Sequence, residues 1–190
     1  MSRVRKLKKD SKTKIASIYS LALYEAAEAK KAVARVHADI LTLLGLVAED
    51  KDFVKYFTNP LWGLDSKKSA LKEIAARLKI SDETLGCLNV IADNGRFPEF
   101  KLILEAFVRL YYEKHNIEEV EVQSAKKLSA AQDKKLVSVL EKKLGKKVVV
   151  NYILNPDLLG GLRVNYGSNM IDDSVSGKLN RLEIMMKGGQ

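Results

Sequence analysis

The sequence predicts an α+β protein: an all-α bundle of six helices, followed by a small α/β domain. Three observations lead there. Apolar residues recur at helical spacing through about residue 115. The pattern then switches to alternation, with Val120 and Val122 set between Glu119, Glu121 and Gln123. Finally, the run LLGGLRVNYGSNMIDDSVSGKL, residues 158–179, encodes a hairpin and a helix start in succession.

The elements follow in order. Residues 1–12 read as a basic flexible tail. A first helix is expected over residues 12–31, with Ile15, Ile18, Tyr19, Ala22, Leu23 and Ala26 on one stripe. Leu21 and Tyr24 lie off that stripe, so this helix is apolar on more than one side. A second helix spans about 32–48 and a short third about 51–57, ended by Asn59-Pro60, since proline disfavours a helical predecessor. Ser66 is the expected cap of a fourth helix, and Ser81 of a fifth that stops at Asn94-Gly95. Pro98 suits the first turn of a sixth, with Phe100, Ile103, Leu104, Phe107 and Tyr111 on its inner face.

After Ile117 the signals are a strand at Val120 and Val122, a helix opened by Ser129, and a strand at Val148, Val150 and Tyr152. Gly160 and Gly161 then open a strand alternating at Leu162, Val164 and Tyr166, which Gly167, Ser168 and Asn169 turn back into Met170 and Ile171. Asp172, Asp173 and Ser174 are good N-cap residues, and Val175, Leu179, Leu182 and Met186 follow at helical spacing. Three segments result: a tail over 1–12, a helical bundle over 13–116 and an α/β domain over 117–190.

Composition narrows the function. Apolar residues make up 46% and charged residues 30% of the 190, ordinary for a globular protein. No apolar run reaches the roughly 18 residues of a membrane span, and no apolar stretch of a signal peptide follows the basic start. The formal charge of +9 is unevenly spread: residues 1–14 and 126–147 each carry a net +6, and the remainder is acidic.

No catalytic constellation is legible. His37 and His115 lie far apart, and the single cysteine, Cys87, sits among Leu85 and Leu88 as a buried structural thiol. No Gly-x-Ser-x-Gly elbow is present, and Gly160-Gly161 lacks the spacing of a phosphate loop. The reading is therefore non-enzymatic, with no metal and no cofactor. Lys134, Lys135, Lys142 and Lys143 share one side of a helix and could meet phosphates, but no aromatic residue stands beside them for base stacking. A solvated polar face, an acidic partner and a lipid surface are the other readings of these lysines. Gly177 is unusual inside a helix and implies close packing, within the domain or against a partner.

The run over 158–179 resembles the C-terminal signature of the delta subunit of F-type ATP synthases, the oligomycin-sensitivity-conferring protein family. The shared elements are Gly-Gly, an alternating strand, a Gly-led turn, an apolar pair, Asp-x-Ser-Val, then Gly and Leu. Asp173 and Ser176 depart from it, standing where a small and a basic residue are common. IYSLALYEAAEA over 18–29 is similar to the family's first helix, and LNVIADNGRF over 88–97 to the end of its fifth.

The resemblance implies a stator subunit that joins the catalytic head to the peripheral stalk so that rotor torque drives ATP synthesis. Its partners would be the N-terminal helix of an alpha subunit and the stalk b subunits, with attachment to the membrane through the complex. It implies that a groove between the first and fifth helices, lined by Tyr19, Ala22, Leu23, Leu88, Ile91 and Ala92, receives the alpha helix. It implies that Gly177, Leu182 and Met186 meet the stalk, so that Gly177→Leu would weaken stalk binding more than folding. The cytoplasmic face of a bacterial inner membrane is the expected location, ahead of a mitochondrial matrix or chloroplast stroma. The alternative, motivated by the two basic segments, is a helical nucleic-acid-binding protein such as a transcription or ribosome-associated factor, whose retention would fall steeply with salt.

Overall fold

The computed structural model describes residues 2–49, 51–59 and 61–187. Its chain is α+β, with helices up to residue 114 and a four-stranded sheet after it. It divides into two compact units, Met1–Tyr111 and Tyr112–Gln190. The change of period at Asn116 falls just past this division because the sixth helix runs on to Lys114.

The first unit is built from α1 (Ser2–Ala29), α2 (Val33–Glu49), α3 (Lys51–Thr58), α4 (Leu64–Leu78), α5 (Asp82–Asp93) and α6 (Phe100–Lys114). A short 3-10 helix, Phe97–Glu99, precedes α6 and holds Pro98. The basic segment expected as a tail is instead the beginning of α1. No glycine or proline interrupts residues 2–29, so nothing in the backbone stops the helix. The break expected at Asn59-Pro60 falls partly on Pro60, outside the described residues, and α3 ends at Thr58.

One apolar core fills this unit, and each helix contributes a face to it. That of α2 is Val36, Ile40, Leu43 and Val47; that of α6 is Phe100, Ile103, Leu104 and Phe107. Phe57 stacks on Phe97 with ring centroids 4.6 Å apart, and Phe53 and Phe100 join the same aromatic group. Such pairs add about 0.5–1.5 kcal/mol each beyond the area they bury. The inner face of α1 differs from the expected stripe. It is Ala16, Ser20, Leu23, Tyr24 and Ala27, while Ile15 and Tyr19 are half-buried and Ile18, Ala22 and Ala26 are exposed. Small residues at 16, 20 and 27 let neighbouring helices come close, and Ser20 satisfies its hydroxyl on the Ser17 carbonyl at 3.0 Å.

Two helix starts also depart from expectation. The N-cap of α4 is Gly63, not Ser66, which lies exposed within the first turn. Ser81 does stand at the N-cap of α5, but its side chain caps nothing. Instead Asp39 of α2 reaches across. Its Oδ2 accepts from Ser81 N–H at 2.8 Å, Ser81 Oγ at 2.5 Å and Thr84 Oγ1 at 3.1 Å. A carboxylate at a helix N-terminus is favoured by the helix dipole. This buried group ties α2 to the start of α5.

The second unit holds β1 (Ile117–Ser124), α7 (Ala130–Leu144), β2 (Lys147–Leu154), β3 (Leu162–Tyr166), β4 (Asn169–Asp172) and α8 (Val175–Lys187). The strand order is β2-β1-β3-β4. β1 and β2 run parallel with α7 as their crossover, and the remaining pairs are antiparallel. Val120 pairs with Val150, Val122 with Val164, and Val164 with Ile171, which lines one sheet face with apolar side chains. Leu140 of α7 packs on that face. Ser129 and Gln132 form a reciprocal capping box at the start of α7, and Gly145 ends it with φ +65°. Gly161 is fixed by space as well as by conformation: φ is +77°, and a Cβ there would lie 2.4 Å from the Asp173 carbonyl oxygen.

Asp39→Ala is expected to cost about 2–4 kcal/mol, because three buried donors lose their acceptor together. Urea denaturation of the full chain checks it. A loss under about 0.5 kcal/mol, the size of an ordinary surface change, would show that the carboxylate does not hold α5.

Candidate docking surfaces

Two rows of apolar residues on neighbouring helices lie outside the first core. On α1, Ile18, Ala22 and Ala26 succeed one another at four-residue steps, and Ile18 is 67% exposed. On α5, Gly86 and Val90 do the same, and Val90 is 49% exposed. The helices are antiparallel neighbours: Lys30 near the end of α1 pairs with Glu83 at 3.1 Å, and Lys12 pairs with Glu99 just beyond α5, also at 3.1 Å. A Cβ on Gly86 would meet nothing within 4 Å, so open space lies above that residue.

The groove residues expected from the sequence separate into two groups. Leu23, Leu88, Ile91 and Ala92 are buried in the unit's own core. They support the α1–α5 wall from behind and are not presented at its surface. Tyr19 is half-buried and Ala22 is exposed. Ile18, Gly86 and Val90 are accessible in the same two rows and were not among the groove residues expected from the sequence. Ile18 comes outside because α1 is rotated by one position from the expected stripe, which turns Ala16, Ser20 and Ala27 inward.

The second surface is α8. Leu182 is 52% and Met186 82% exposed, and Leu179, Ile184 and Met185 are exposed with them. The one buried residue of this helix is Gly177. α8 is held by its first turn. Of the three candidate caps, Ser174 does the capping: its Oγ accepts from Gly177 N–H at 3.0 Å. Asp172 orients that serine, with its Oδ1 accepting from Ser174 N–H at 2.9 Å and from Ser174 Oγ at 2.5 Å. Its Oδ2 accepts from Arg163 Nε at 3.0 Å and lies 2.8 Å from Arg163 Nη2. These bonds hold the Asp172 carboxyl at a pKa of about 2, below the ordinary 3.8. The Ser174 hydroxyl is the largest cause and the Ser174 N–H the next; Arg163 adds to them and burial opposes them.

Gly177 is explained by the same cluster. A Cβ there would lie 2.7 Å from Asp172 Oδ1 and 2.8 Å from its Cγ. The close packing that a glycine implied is thus against this chain's own carboxylate, and Gly177 presents no surface to a partner. Asp173, one of the departures from the family pattern, is exposed and pairs with Lys178 at 2.7 Å. Ser176 sits 3.2 Å from the Ser174 hydroxyl.

Reactive chemistry is not assembled among the described residues. No cluster of His, Cys, Asp and Glu there has the grouping of a metal site. Burial pushes the Cys87 thiol up to about 11, away from thiolate reactivity. His37 stacks on Tyr111 with ring centroids 3.9 Å apart. Lys134, Lys135, Lys142 and Lys143 are exposed on α7. No described helix is long and apolar enough to cross a membrane.

Residues 15–186 match the family model described as ATP synthase delta (OSCP) subunit. The chain belongs to that family. Among its relatives, the ATP synthase subunit delta of Fusobacterium nucleatum is 34% identical, with 88% of this chain and 95% of the relative aligned. That of Rhizorhabdus wittichii is 36% identical over 90% and 92%. The chloroplastic subunit delta of Emiliania huxleyi is 33% identical over 91% and 96%. A chain in the Toxoplasma gondii mitochondrial ATP synthase hexamer shares the fold, with a TM-score of 0.71, 23% identity, and coverage of 90% and 96%. As a delta (OSCP) subunit, the protein is a structural component of the ATP synthase stator and not a catalytic one. The nucleic-acid reading of its lysines finds no support in these relationships.

Two outcomes are expected of the Asp172 cluster. A carboxyl more acidic in the folded than in the unfolded chain stabilises the fold above about pH 4, and that contribution fades as pH falls towards 2. Melting curves across this window should therefore slope less steeply for Asp172→Asn than for the wild type; equal slopes would contradict the assignment. In Gly177→Ala, the roughly 1 kcal/mol gained in helix propensity is outweighed by displacement of the pinned carboxylate. A net loss of about 1–3 kcal/mol is expected in chemical denaturation, and a stabilised variant would refute the packing explanation.

Proposed function

We propose that this subunit braces ATP synthase by docking at two separate places. The helical unit, a bundle of α1 to α6, takes the amphipathic N-terminal helix of a catalytic-head alpha subunit along α1 and α5. The accessible wall is Ile18, Tyr19, Ala22, Gly86 and Val90. The C-terminal unit takes the b subunits of the peripheral stalk on α8, through Leu182, Met186 and their exposed neighbours. The reading places the subunit at the cytoplasmic face of a bacterial inner membrane, attached through the complex.

The observation that carries this reading is the state of α8: a helix anchored at one end whose apolar side chains remain in solvent. Apolar side chains gain about 1.5–3 kcal/mol each on full burial, so such a helix favours being covered. Helix-in-groove recognition uses this kind of row spacing. Mechanically, rotor torque would spin the catalytic head unless something held it. A brace needs slow dissociation under load, which buried apolar anchors supply and exposed ion pairs do not. Two contacts on one chain also raise each other's effective concentration.

The test uses paired charge insertions. Ile18→Glu with Val90→Glu is expected to weaken binding to a synthetic alpha N-terminal peptide by more than about tenfold, with the melting temperature unchanged. Leu182→Glu with Met186→Glu should leave that binding intact and abolish capture by the b subunits. In membrane vesicles each pair should leave ATP hydrolysis active while ATP-driven proton pumping collapses. Full pumping by both would overturn the proposal.

A further inference from the structure

The basic start of the chain has no part in the docking surfaces described so far. Residues 1–14 carry a net +6. The family match begins at residue 15, so this stretch lies outside it. It is nonetheless continuous with the bundle, because α1 runs from Ser2 to Ala29 as one helix.

One contact fixes where the stretch leaves the bundle. Lys12 pairs at 3.1 Å with Glu99, which is buried just before α6. From Lys12 the helix continues to Ser2, about 15 Å further at 1.5 Å per residue. On the bundle side of that contact, Lys14 stands one turn before Ile18, the first residue of the exposed row on α1. Lys14 and Ile18 line one open hollow of about 560 Å³ together with Thr13 and Ser17. An apolar anchor and a cation therefore border the same space, and the basic extension begins there.

We propose, on the reading that an alpha-subunit helix docks along α1 and α5, that the part of that helix running past Ile18 is acidic and is held by this extension. Packed helices lie 8–10 Å apart, so a partner that continues along α1 stays within about a Debye length of the extension's charges. The start of α1 adds the positive end of its helix dipole. Exposed ion pairs give little affinity each, and act mainly on selectivity and register. The apolar row supplies the hold, and the extension selects the segment and its direction. Composition disfavours other anionic occupants. The stretch has three apolar residues, Met1, Val4 and Leu7, which give a bilayer interface little to bury. It has no aromatic residue on which a base could stack.

The experiment compares the wild type with a full-length variant carrying Arg5→Gln, Lys6→Gln, Lys8→Gln and Lys9→Gln; glutamine preserves helix propensity. Three fluorescein-labelled synthetic peptides are the probes. One is an amphipathic helix of about 18 residues, about 27 Å long; the others add four glutamates at its N-terminus or at its C-terminus. At low salt the wild type should bind one glutamate peptide about tenfold more tightly than the plain helix. That preference should vanish in the variant, and also at about 1 M salt, where the Debye length is about 3 Å. Both proteins should bind the plain helix equally. Plain-helix binding with no gain from glutamates would overturn the proposal and leave the docking reading standing. So would an equal gain from either end, or a preference that survives the four substitutions. A wild type retained on phosphatidylglycerol vesicles and indifferent to the glutamates would assign the extension to lipid instead. Failure to bind even the plain helix would sink the docking reading, and this proposal with it.

Discussion

Asp172 accepts hydrogen bonds from Ser174 while paired with Arg163, and in doing so it joins β3, β4 and the first turn of α8. The placement of α8 depends on that junction. α8 has one buried residue, Gly177, and that residue lies against the Asp172 carboxylate. The helix is therefore fixed by polar contacts at its start, and its apolar length is left free. A domain of this size buries a modest share of its surface and cannot enclose every hydrophobic side chain it carries. Here a large part of the excess stands on one anchored helix, which suits a subunit whose work is attachment.

The helical unit reaches a similar end by another route. Its core encloses Phe100, Phe107, Ile103 and Leu104. Small residues on the inner face of α1 bring the helices together, and Asp39 fixes the start of α5 from α2. α1 and α5 are thereby held as antiparallel neighbours, each with an apolar row turned outward. Stiffness matters for a stator element, because a contact that transmits torque must not yield locally. Buried packing and a satisfied buried carboxylate both serve that requirement.

Much of this was legible in the sequence because it rests on local rules. The switch from helical to alternating period, the Ser129 cap, the hairpin at Gly167 and the chain stop at Gly95 each follow from a few adjacent residues. The family signature over 158–179 was also readable, since the Gly161 constraint and the Asp172–Ser174–Gly177 cluster lie within it. What escaped was the rotation of α1 and the role of Asp39. Ser20 and Ala16 gave no apolar signal, yet tertiary packing buried them and left Ile18 outside. Asp39 finds its partners 42 residues away at Ser81, a distance that no periodicity reveals. Gly177 was recognised as a site of close approach, but only the fold shows that the approaching group is internal.

In the proposed bracing role, one chain holds two different proteins by two apolar surfaces. Site-specific photo-cross-linking in the assembled ATP synthase tests it most directly, with a benzoylphenylalanine placed at Ile18 in one variant and at Leu182 in another. The first should join the alpha subunit and the second a b subunit, each in high yield. Cross-links from both positions to the same subunit, or none from either in the intact complex, would contradict it.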